Sequence, residues 1–331
     1  MLDVSGVGDV VITSGETIET DLGGVLTGGT YNYAVLPQVS GPSLGVFVVN
    51  SLTIASGVKV QVEGKNALVI VALDTIDIQG TLSGSSQSTP FFAGPGQPGD
   101  PGANTAGLGL GGGGAGSMDT SGGGGGFCGE GGQGSAVTGT AATGGSPYGT
   151  ATLIPLVAGS SGGGGFGTSS YAGGAIQLIA KTSISVEGAI SVGATGGGNG
   201  AFFGSGEQAS GGASGGAILL ESAMVSVAGT LAANGGAGGQ GNDGTSGGDG
   251  TADSNPARGD DGKHGSAGGA GSAGSVIRGA DGVAAAMATG GAGGGGAGRI
   301  RINTATGQAL VGGTISPDTT TPCASQGTLS P

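Results

Sequence analysis

Five carboxylates, Asp243, Asp249, Asp253, Asp260 and Asp261, crowd one stretch between glycine-rich runs, and hard oxygen donors at that density suit Ca²⁺. Gly238 to Asp243 (GGQGND) matches the start of a calcium-binding nonapeptide, and Gly247 to Asp253 (GGDGTAD) nearly repeats it nine residues on. That nonapeptide needs a large apolar residue near its end to build a core, and Thr245 and Ser254 stand there instead. The five aspartates are therefore candidates for weak Ca²⁺ binding at a turn, and no other cofactor is expected.

Other chemistry is excluded by what is missing. His264 is the only histidine, which removes a histidine-rich metal site and a Ser-His-Asp triad. Gly262-Lys263-His264 lacks the Ser or Thr that follows the lysine of a phosphate-binding loop, and no helix pattern comes after it. Arg258-Gly259-Asp260 spells an integrin-type tripeptide, a chance match in a glycine-rich turn. Asp74, Asp77 and Glu187 fall in strand patterns with no Lys or Arg cluster beside them, so they read as solubilising positions and not as a glycosidase pair. No enzyme is expected. The aromatic pairs Phe91-Phe92 and Phe202-Phe203 offer apolar faces for a sugar or apolar ligand, or else cap the glycine-rich part. Cys128 and Cys323 lie in no metal-ligand spacing. They are either isolated small residues or a disulfide tying the first glycine-rich insert to the C-terminal tail, which would fit an oxidising compartment.

The elements that position these residues repeat. Gly216 to Thr230 (GAILLESAMVSVAGT) has a close copy at Gly174 to Ala189, another at Ala67 to Thr81 and a looser one at Gly298 to Thr314. In each, an apolar half is followed by two or three polar or small residues and then by strict alternation, the period of a β-strand. Strand, corner, strand predicts an all-β chain, a β-solenoid resembling a parallel β-helix. A β-sandwich with disordered glycine loops reads the same way.

Between the copies lie glycine-rich inserts at about 84–173, 193–215 and 235–298. In the third, glycine recurs every third residue from 235 to 250 and again from 259 to 274. That spacing predicts a polyglycine II helix bundle, three residues per turn, whose amides bond to neighbouring helices. Each register predicts an arm roughly 45 Å long at ~3.1 Å per residue, the two turning back on each other through Thr251 to Arg258. Residues 1–50 hold fewer glycines and read as a β-rich cap or an assembly segment, leaving 51–331 as a single repeat domain.

With 87 glycines, 3% aromatics and no Trp in 331 residues, an ordinary packed globule is excluded, and 9% charged residues is far from the profile of disorder. The net charge of -13 argues against nucleic acid and anionic membranes as partners. No apolar run reaches membrane-spanning length. The start, MLDVSGVGDV, lacks the regions of a signal peptide, and a leader already removed is the expectation.

The stretches AGGAIQLIAKTSISVEGAISVGATGGG, SGGAILLESAMVSVAGTLAANGGAGG and GGGGAGRIRINTATGQALVGGTISP resemble the glycine-rich secreted proteins of myxobacteria and related deltaproteobacteria, from about Ser51 to the end. Arg299, Arg301 and the closing GTISP are the most specific points. The resemblance implies an exported, cell-surface or matrix protein and no chemistry. A looser analogy, resting on composition, is with phage tail-fibre tip adhesins that carry polyglycine II bundles. The expected function is a structural subunit of an extracellular filament or matrix, self-assembling through solenoid ends or N-terminal strand pairing. A surface adhesin or glycan-binding module is the alternative.

Overall fold

Branched apolar residues alternating with small polar ones decide where strands form. The computed structural model describes residues 3–21, 23–85, 94–98, 102–166, 170–200, 208–241, 244–259, 266–284 and 290–329. Within them the strands are β1 (Asp9–Ile12), β2 (Glu16–Glu19), β3 (Asn32–Leu36), β4 (Leu44–Val49), β5 (Ser51–Ile54), β6 (Lys59–Glu63), β7 (Ala67–Ala72), β8 (Thr75–Ile78) and β9 (Thr81–Ser83). They continue with β10 (Ala175–Val186), β11 (Ala189–Ser191), β12 (Ala217–Val227), β13 (Thr230–Ala232), β14 (Arg299–Thr304), β15 (Leu310–Val311), β16 (Thr314–Ser316) and β17 (Ala324–Thr328).

The predicted all-β solenoid, and the sandwich beside it, are corrected by how these strands pair. They form two sheets, one of 11 strands and one of six, with every ladder parallel except the β3–β4 hairpin. The corner expected after Ala180 does not exist. Lys181 and Thr182 are both exposed, which gave the look of a turn, yet the Thr182 N–H donates to Asp74 O and β10 runs through as one strand with a bulge. Its first half pairs with β7, its second with β8, and only the short β11 belongs to the other sheet. Parallel strands linked by long crossovers are the connectivity of α/β proteins. Here the crossovers 84–174, 192–216 and 233–298 are glycine-rich, and no described residue is helical.

Register stacks like on like. Ile76, Ile184 and Val225 are successive partners in the large sheet, as are Leu82, Ile190, Leu231 and Ile315 in the small one, and all point into the space between the sheets. A fully buried side chain of this size contributes about 1.5–3 kcal/mol. The opposite face of the large sheet, with Ala67, Val69, Ala175, Ala217 and Leu219, packs under Phe127, Leu153, Leu156 and Val157 from the first crossover.

Residues 1–50 join both sheets: β1 pairs with β5, β2 with β6 and β4 with β7. The segment 25–30 then runs along the outer edge of β1 and β2. Val11 N–H donates to Gly28 O, Gly8 N–H to Thr30 O, and Glu19 and Val25 exchange two backbone bonds.

The glycine-rich crossovers bond to one another through their backbones. Gly122 and Gly125 donate to Ala209 O and Gly212 O, Gly123 and Gly126 to Gly114 O and Gly111 O, and Gly124 to Gly132 O, at 2.8–2.9 Å. Amides three apart thus reach the same neighbour. The carbonyls of Gly122 to Gly125 accept from Gly293, Gly163, Gly145 and Gly296, so this run is bonded to six other segments. Continuous glycine is needed because the neighbouring backbones sit where side chains would be: an added Cβ at Gly124 falls onto Gly294 O.

The first of the two expected long arms is corrected to two shorter pieces, and the second lies partly outside the described residues, at 260–265. The register from Gly235 to Gly250 contains a reversal, with Gln240 N–H donating to Thr245 O and Ala237 N–H to Gly248 O, so its two halves lie side by side. Gly238 donates to Gly269 O and Gly235 to Ser272 O, which packs 266–272 against the first half. A glycine period marks which faces are bare and carries no information on where the chain turns back.

Cys128 and Cys323 form a disulfide with a Cα–Cα distance of 5.6 Å, both residues buried beside Ala297. It ties the chain immediately before the edge strand β17 to the first crossover.

Replacing Gly124 with Ala is expected to lower stability by about 1–3 kcal/mol or more. Gly248→Ala, where the nearest atom to an added Cβ is Arg258 O at 3.3 Å, should stay close to the parent. Paired thermal unfolding curves check this. Cys128→Ser is expected to cost about 3–5 kcal/mol, the effect of opening a long covalent loop, read in denaturant unfolding with and without reductant.

Candidate functional site

Two regions carry unusual surroundings. The first is an apolar cleft of about 370 Å³ where the turn after β3 meets the first crossover. Pro42, Pro98, Leu110, Pro155 and Val157 line it, with Lys65 as its one cationic residue among the described residues. Gln38 fixes the two walls relative to each other: its side-chain amide donates to Pro42 O at 2.7 Å and Leu156 O at 2.9 Å, while Leu156 N–H donates back to its Oε1 at 2.8 Å. Gly96 N–H donates to Gly64 O and anchors the floor beside Lys65.

Tyr148 backs the cleft. Its hydroxyl donates to Ala158 O at 2.6 Å and accepts from Ser160 Oγ at 2.9 Å, and burial pushes its pKa far up, so it stays a neutral hydrogen-bonding group. Its ring lies 4.7 Å from that of Phe127, over which the Arg299 guanidinium sits at 5.7 Å while donating twice to Tyr148 O. Arg301 binds the C-terminal strand instead, donating to Ser325 Oγ and Gln326 O. The two arginines are therefore structural clamps.

The second region is the outer edge of the small sheet. Glu19 and Glu63 are register partners on β2 and β6, and parallel pairing puts both carboxylates on one side. Glu63 is 8% exposed and its Oε1 has no hydrogen-bond partner. Burial, with the charge of Glu19 adding to it, raises its pKa from 4.5 to about 7. Burial likewise raises Glu16 and Glu19.

The sequence candidates are placed as follows. Asp243, Asp260, Asp261, His264 and all four paired phenylalanines, Phe91, Phe92, Phe202 and Phe203, lie outside the described residues. Of the calcium candidates, Asp249 accepts from Gly196 N–H at 2.9 Å and Asp253 from Asn255 N–H at 2.7 Å, two backbone-capping roles. Among the described residues no group of three or more His, Cys, Asp or Glu is placed to hold a metal ion. Asp74 and Glu187 are exposed, and Asp77 is half-buried, bonded to Gln79. The cleft was missed because its lining comes from six separate stretches of the chain. The prolines gathered at 37, 42, 95, 98, 147 and 155 were its only signal.

No family model, no curated protein and no solved structure matches the chain. No helix among the described residues is long and apolar enough to cross a membrane.

Because Glu63 holds its proton more tightly folded than unfolded, the stability it contributes is fully present below about pH 4.5 and lost as pH rises to about 7. Denaturant unfolding between pH 4 and 8 should show stability falling through that window, with the fall reduced in Glu63→Gln.

Proposed function

We propose that the chain is a structural subunit of an extracellular filament or matrix, associating with copies of itself through the strand edges at the two ends of its large sheet. The observation that carries this reading is where exposed apolar side chains meet outermost strands. Among the described residues β3 pairs only with β4, and its Val35 and Leu36 are 47% and 38% exposed. At the other end β15, again among the described residues, pairs only with β12, and its Leu310 is 76% exposed. An unpaired edge is a template for another strand, and natural edges are usually blunted by charge. These two carry none. Because they are different surfaces, joining one to the other is a head-to-tail contact, which repeats without closing.

Other features agree with this reading. The disulfide suits an oxidising, extracellular compartment. The resemblance to glycine-rich secreted proteins points the same way. The adhesin alternative rests on phenylalanine pairs outside the described residues and gains nothing from the geometry.

Light scattering and negative-stain electron microscopy across a concentration series should show elongated, concentration-dependent assemblies. Leu36→Lys and Leu310→Lys should each reduce them without moving the melting temperature. A uniform monomer at all concentrations ends this proposal.

A further inference from the structure

We propose that the cleft between Pro42, Leu110 and Val157 binds a single-chain organic anion, its apolar tail along the cleft and its anionic head at Lys65. This inference is independent of self-association.

The cavity has a shape that a small ligand needs and a flexible loop does not provide. At about 370 Å³ it lies within the range of small-molecule sites. The three Gln38 bonds hold two of its wall segments, at Pro42 and Leu156, against each other, which reduces the ordering left for a ligand to bring about.

The chemistry of the lining selects the ligand. Three prolines, Leu110, Val157 and Ala158 offer carbon to carbon contact, and Leu110 at 79% exposure leaves apolar area that a tail would cover. Among the described residues Lys65 is the one charged residue that lines the cleft, and the ion pairs are made by Arg278 alone. In a chain with eight Lys and Arg against 21 acids, a lysine with no carboxylate partner among the described residues, beside an apolar slot, favours an anionic amphiphile over a neutral or cationic one. A medium-chain carboxylate combines both features and serves as the probe.

Decanoate titrated into dilute protein by calorimetry, with decan-1-ol as the neutral probe, tests this. The expected result is one saturable decanoate site. Lys65→Gln weakens decanoate about tenfold, the scale of losing one charge-assisted contact, and leaves decan-1-ol unchanged. Leu110→Glu weakens both. Lys65 and Leu110 are exposed, so neither variant disturbs the core. In the parent protein, decanoate should shift the methyl resonances of Leu110 and Val157 and leave those of Met224, on the other part of the sheet, in place. No saturable binding, an unchanged decanoate affinity in Lys65→Gln, or methyl shifts spread over the whole chain would each overturn the proposal.

Discussion

Hydrogen bonds between glycine backbones of neighbouring crossovers are the interaction on which the rest of the molecule depends. They form only where no Cβ separates the chains, and the positions around Gly122 to Gly126 show how little room there is. Taken singly they are not strong. One such bond contributes about 0.5–1.5 kcal/mol net, while fixing a backbone costs about 1–2 kcal/mol per residue, more for glycine. The two nearly cancel, so the crossovers need the sheets as much as the sheets need them. The sheets fix both ends of every crossover, and the crossovers return Phe127, Leu153 and Leu156 to cover a sheet face that would otherwise lie open.

Strand positions were legible in the sequence because a half-buried strand writes a period of two. Ile184 and Val186, or Ile76 and Ile78, have no other economical reading. The sheet arrangement was not legible. Lys181 and Thr182 interrupt the alternation as a turn would, and only the partner strands reveal a bulge within a continuous β10. The three-residue spacing of glycine in 235–250 likewise says which amides face the same way and not where the segment doubles back, a matter settled by Gln240 and Thr245. Of the candidate site nothing was foreseen. Lys65 follows a strand and Leu110 precedes a glycine run, and neither has a sequence neighbour that hints at the other.

The same economy explains the arginines. A chain with few charges and little aromatic surface uses Arg299 to hold Phe127 and Tyr148 against the sheet and Arg301 to hold β17. Planar, multiply donating side chains stand in for the bulky packing that glycine cannot supply. These two charges sit at joints, while the outer strands β3 and β15 are uncharged and Lys65 is the one cation among the described residues of the cleft.

The bridge between Cys128 and Cys323 turns most of the molecule into a covalent circle. All the strands from β10 to β16 lie on it, as do the second and third crossovers. A protease that nicks one exposed bend on this circle releases nothing, since both new ends stay attached through sulfur and through the sheets. A chain closed in this way keeps its shape after its backbone has been severed once within the circle.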